Sequence, residues 1–116
     1  MELKKINKDL PDIANSKKLS LHLRHIVTPT AEEAEHVLGR LREAEDFSQL
    51  AARFSLQPFN LNGGYIGPFT PNELMPSIAD QVVILTPLAF SPVIETSTGF
   101  HIFQKFMIYD DLLSPR

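Results

Sequence analysis

The chain has 116 residues, of which 43% are hydrophobic and 22% charged, with a formal net charge of −3 and no cysteine. Such a length suits one domain around one core, the balance suggests neither disorder nor a membrane protein, and the missing thiol excludes disulfides and cysteine nucleophiles. Five lysines (Lys4, Lys5, Lys8, Lys17, Lys18) outnumber Glu2, Asp9 and Asp12 at the start, so the remainder is acidic and no nucleic-acid groove is expected there.

Residues 1–18 carry Leu3, Ile6, Leu10 and Ile13 at near-helical spacing, but Pro11 interrupts a continuous helix, which leaves an N-terminal extension or linker with a solvated lysine cluster. "LSLHLRHIV", residues 19–27, alternates strictly: Leu19, Leu21, Leu23, His25 and Val27 share one face, which predicts a half-buried strand. A helix is expected from about Ala31, where Thr30 and Glu33 form a capping-box pattern and Ala34, Val37, Leu38 and Leu41 make an apolar stripe. Gly39 inside it costs about 1 kcal/mol against alanine, which packing of the stripe must outweigh. Asp46 caps a second helix, "FSQLAARF".

Residues 55–64, "SLQPFNLNGG", read as a loop closed by glycines that permit positive φ. "YIGPF" follows as a strand, and Pro68 places it at a sheet edge. "TPNELMPSIADQVVIL" predicts a third helix capped by Thr70, with Leu74, Ile78, Val82 and Leu85 on one face and only its first turn disturbed by Pro76. A short strand near Val93–Glu95, the turn "TSTG" and a long strand "FHIFQKFMI" complete a β-α-α-β-α-β-β order, an α+β pattern with a mostly antiparallel sheet.

Four histidines are the first candidates for chemistry. His22 and His25 point to opposite faces of one strand and cannot share a metal, and His36 falls on the exposed side of its helix. His25 and His101 both sit among apolar neighbours, where an unpartnered imidazole is costly, so each needs a hydrogen bond and each can supply the other's if their strands are adjacent. Taken alone, such a pair more often fills a core than catalyses. The carboxylates lie on helix surfaces, and no G-x-S-x-G, H-E-x-x-H or phosphate loop is present, which leaves hydrolysis and phosphoryl transfer unsupported.

The ordered set "LRHIV", "EDFSQLAARFS", "NGGYIGPF" and "TSTGFHIF" resembles the parvulin family of peptidyl-prolyl cis-trans isomerases, over about Leu21 to Lys105. The resemblance implies a four-stranded antiparallel sheet flanked by about four helices, with an isomerase domain spanning 19–109 and a C-terminal tail at 110–116. It implies catalytic roles for His25, Gln57, Thr96 and His101, and a proline pocket drawn from Ile66, Phe69, Leu74, Met75, Ile78 and the rim residue Thr98. Gln57 stands where the family commonly has Asp or Cys, Leu56 where another Asp is usual, Ile78 where Phe is usual, and Leu88 where a turn glycine is typical. These departures predict reduced turnover on an intact fold.

The activity so implied is rotation about X-Pro bonds of extended or unfolded polypeptides, without a covalent intermediate, cofactor or metal. The short loop from Val27 to Thr30 lacks the basic cluster of phosphate-directed members, so no phospho-specificity is expected. The alternative is a catalytically poor, parvulin-like chaperone or peptide-binding module of a larger foldase, which holds proline-containing chains in the same groove. No apolar run approaches the ~20 residues that span a bilayer, so no membrane contact is expected. The compartment is cytoplasmic if Met1 is the native start, and extracytoplasmic if the domain belongs to an exported foldase.

Overall fold

Strict alternation along the first strand divides the molecule into two packing faces. The computed structural model describes residues 19–110. The chain runs through β1 (Leu19–Thr28), α1 (Ala31–Arg42), α2 (Phe47–Phe54), β2 (Tyr65–Phe69), α3 (Pro76–Val83), β3 (Ile94–Thr96) and β4 (Gly99–Asp110), with tight 3-10 turns at Asn62–Gly64 and Pro71–Glu73. The expected extension at 1–18 lies outside the described residues, as does the expected tail at 110–116 except for Asp110, which is the last residue of β4.

All pairings are antiparallel, in the order β2-β1-β4-β3, so β1 and β4 form the centre and β2 is an edge, as Pro68 requires. Cross-strand partners share a face, so His25 beside Phe103, Val27 beside His101 and Leu23 beside Lys105 define one side of the sheet. On the other side Ile26 and Ile102 are covered by Ala34, Val37, Leu38 and Leu41 of α1 and by Phe47, Leu50 and Ala51 of α2. The first side packs Leu21, Leu23, Phe103 and Ile94 against Ile78 and Val82 of α3.

Local chemistry sets the helix ends. The Thr30 hydroxyl accepts from the Glu33 N–H at 3.1 Å, and the Asp46 carboxylate accepts from the Gln49 N–H at 3.0 Å. The other end of α1 closes in a Schellman turn: the Glu45 N–H donates to the Arg40 carbonyl at 3.1 Å and the Ala44 N–H to that of Leu41 at 2.9 Å, with Ala44 at φ 69°. After α2, the Ser55 hydroxyl accepts from the Val27 N–H at 3.0 Å, and the Leu56 N–H donates to the Val27 carbonyl at 2.8 Å. β2 pairs only with Leu21 to Arg24, so this loop takes over the edge of β1 where β2 stops, and it seats Phe59 beside His25.

One expected element divides. The single helix read from Thr70 onward is a 3-10 turn at Pro71–Glu73, an extended link at Leu74 and Met75, and then α3. The Glu73 carboxylate accepts from the Thr70 N–H at 2.8 Å, so the capping signature is real but closes the short turn. Pro76 drives Met75 to ψ 140° and opens α3 as its first residue, because proline disfavours helical geometry in the residue before it. β3 begins one residue later than expected, at Ile94. Among the described residues, no helix is long and apolar enough to cross a membrane.

Candidate active site

Because Val27 is the cross-strand partner of His101 and His25 that of Phe103, the two histidines sit diagonally on one face of the central strands. Both are buried, at 5% and 6% exposure. Their rings lie nearly coplanar, with centroids 5.0 Å apart, and His25 Nε2 is 2.7 Å from His101 Nδ1. His101 Nε2 continues the row to Thr96 Oγ1 at 2.6 Å and Thr98 Oγ1 at 3.2 Å. The two hydroxyls are 3.0 Å apart, and the Thr98 N–H donates to Thr96 Oγ1 at 3.2 Å. Gly99 permits this closure: at φ 144°, any Cβ there would meet the Thr28 carbonyl oxygen at 2.8 Å.

The row has a direction. His25 Nδ1 is buried without a hydrogen-bond partner. Leaving a lone pair unmet costs less than stranding an N–H, which assigns the His25 proton to Nε2. His25 then donates to His101 Nδ1, His101 Nε2–H donates to Thr96, and the Thr96 hydroxyl donates to Thr98. The proton of Thr98, at the exposed end of the row, is left uncommitted within it.

Both imidazoles are held neutral. Burial, reinforced by the neighbouring His101, pushes His25 down to about 3, and burial lowers His101 in the same direction. The row therefore carries hydrogen bonds rather than charge at neutral pH.

Phe103 joins the row to an apolar floor. Its ring stacks on His25 with centroids 4.6 Å apart and 11° between planes, and it belongs to the cluster that includes Leu23 and Ile78. Ile66, Phe69 and Leu74 pack against that cluster, half-buried. Of the expected site residues, the structure thus assembles His25, Thr96, Thr98 and His101 into one row and Ile66, Phe69, Leu74 and Ile78 into one apolar group. Met75, 53% exposed, joins neither. Gln57 is exposed in the turn after α2, next to the tethered Leu56.

Sequence reasoning passed over three residues here. Phe103 and Phe59 frame His25, the latter edge-on at 5.0 Å. The third, Lys105, continues the buried parity of His101 and Phe103 along β4 and is fully buried. Parity was the available signal for Phe103 and Lys105. Phe59 lies in an irregular loop, where no periodicity marks a contact.

The sheet order and its helical cover define a parvulin-type α+β domain. Residues 25–106 match the rotamase family model, described as the PPIC-type PPIASE domain, and the chain belongs to that family. It is 39% identical over 69 residues to the chaperone SurA of Aromatoleum aromaticum, covering 60% of this chain and 16% of that one. It is 28% identical over 104 residues to the foldase protein PrsA of Geobacillus kaustophilus, covering 89% and 37% respectively. The chain therefore spans well under half the length of these relatives. In structure it resembles PrsA from Bacillus cereus (TM-score 0.79, 26% identity, 94% of this chain and 41% of that one). The parvulin domain of PpiD from E. coli is matched over nearly its whole length (TM-score 0.73, 25% identity, 85% of this chain and 97% of that one).

Proposed function

We propose that residues 19–109 form a peptidyl-prolyl cis-trans isomerase unit acting on X-Pro bonds of extended polypeptides, with residues 1–18 as an extension and 110–116 as a tail. The observation that carries this reading is the junction at Phe103 of a neutral His25–His101–Thr96 row with an apolar group containing Ile66, Leu74 and Ile78. Rotation about an X-Pro bond faces a barrier of roughly 20 kcal/mol from amide resonance and needs no nucleophile. What accelerates it is tighter binding of the twisted amide than of either planar form, at about tenfold in rate per ~1.4 kcal/mol of preference.

The twisted amide has less charge separation than the planar one, so an apolar seat for the proline ring favours it. In this reading Ile66, Phe69, Leu74 and Ile78 hold the ring, and the uncommitted Thr98 hydroxyl proton meets the substrate backbone. The His25–His101–Thr96 row holds Thr98 in place without adding a charge. Gln57, from the loop stapled to Val27, offers the substrate an amide but no negative charge.

That last feature favours a second reading, in which the same groove retains proline-containing chains and turns them over poorly, as a chaperone module. The test is a cis-to-trans assay on X-Pro peptides with the wild-type chain and Gln57→Asp. Wild-type turnover above the uncatalysed rate, raised about tenfold in Gln57→Asp, is the expected result for the isomerase. No turnover, with peptide-induced NMR shifts at Leu74 and Ile78, would establish the binding module. Neither turnover nor shifts would refute both readings.

A further inference from the structure

We propose that Lys105 is a positioning residue that caps the C-terminal end of α3 from across the sheet, and so holds the helix carrying Ile78 against the floor of the site. Lys105 is 0% exposed, yet its ammonium meets backbone rather than a carboxylate: Nζ donates to the Val83 carbonyl at 2.6 Å and to the Leu85 carbonyl at 2.6 Å. Its own backbone holds the next stretch, accepting from the Leu88 N–H at 2.6 Å and donating to the Ala89 carbonyl at 3.2 Å. The connection from α3 toward β3 is therefore fastened to one residue of β4 at four points.

α3 needs an external cap. It has eight residues, no side-chain cap at Met75 and no basic residue in its last turn. The last four carbonyls of any helix lack partners within it, which in so short a helix is half of them, and its negative end favours a cation. Lys105 supplies that cation from about twenty residues away, with its aliphatic stem on the same face as Leu23 and Phe103. An apolar residue at this position would leave two carbonyls unpaired.

The consequence for the site follows from contiguity. Ile78 and Val82 of α3 share a cluster with Leu23 and Phe103, and Phe103 stacks on His25. A helix freed at its C-terminal end no longer holds the Ile78 wall at a fixed distance from the histidine row, and a gap of about 1 Å between packed groups already forfeits a large part of their dispersion contact.

The functional half of this proposal rests on the reading of the site as a proline-binding groove, so the test has two independent readouts. In Lys105→Met, amide hydrogen exchange of Asp80–Val83 should quicken at least tenfold while α1 and α2 stay protected. The Kd for an X-Pro peptide, from NMR titration, should rise about fivefold or more. Val37→Ala, in the core on the opposite face, serves as a variant that lowers stability without touching α3, and it should leave that Kd unchanged. If Lys105→Met fails to fold, Lys105→Gln, one atom shorter and uncharged, is read in the same way. Unchanged exchange in α3, acceleration spread evenly over all helices, or an equal loss of affinity in Val37→Ala would each overturn the proposal. If the wild-type chain binds no proline peptide, the groove reading fails, and the exchange data still decide the cap.

Discussion

A buried imidazole makes the native state a poorer base than the unfolded chain. His25 is lowered from 6.5 to about 3, so between those pH values the unfolded state binds a proton that the folded state does not. Stability is then fully present above about 6.5 and is lost as pH falls toward 3, by up to about 1.4 kcal/mol per pH unit for this group, and His101 acts in the same sense. Urea unfolding at pH 7.5 and pH 5 should show a clear drop at the lower pH. His25→Ala should be less stable by about 2 kcal/mol at pH 7.5, since it removes a ring stacked on Phe103 and strands His101 Nδ1, and its pH dependence should be shallower. Equal stability of the wild-type chain at the two pH values would contradict the neutral, buried pair. The histidine row was legible because strand parity put His25 on a face that must be buried. Phe103 was not, because an aromatic on such a face reads as ordinary core.

Two positions show backbone chemistry at odds with the element around them. Ala44 occupies the left-handed position of the Schellman turn at φ 69°, where a Cβ is disfavoured by roughly 1 kcal/mol, while Gly39 sits exposed inside α1 with nothing within 4 Å of the place a methyl group would take. Ala44→Gly and Gly39→Ala should therefore each stabilise the chain by about 1 kcal/mol, the first by relieving the turn and the second by helix propensity. Denaturant midpoints measured at unchanged m-value check both, and a loss of stability in either variant would refute the corresponding step. Leu88, at φ 73°, confirms that its turn has the geometry for which glycine is typical. Element order, the caps at Thr30 and Asp46 and the edge strand were all legible, the first two from local spacing and the last from Pro68, which has no N–H for a ladder. The break before α3 was not: a good capping signature and an apolar stripe can continue across a proline in sequence while the backbone cannot.

The sheet separates two cores that answer to different demands. Leu50, 1% exposed, belongs to the helical side with Ile26 and Ile102, whereas Ile78, 8% exposed, belongs to the side that adjoins the histidine row. Large-to-small changes in a well-packed core cost about 2 to 5 kcal/mol, and a domain of this size has about 5 to 15 kcal/mol in all, so either truncation can leave a folded chain. Leu50→Ala should lower stability by about 3 kcal/mol and leave X-Pro peptide affinity unchanged at a temperature where the variant is folded. Ile78→Ala should lose less stability, because its side of the sheet is more open, yet weaken peptide binding about tenfold. Thermal unfolding paired with NMR titration of the same two variants measures both quantities. Parallel losses of stability and affinity in the two would mean that the faces are not independent, and that the apolar group around Ile78 is only core.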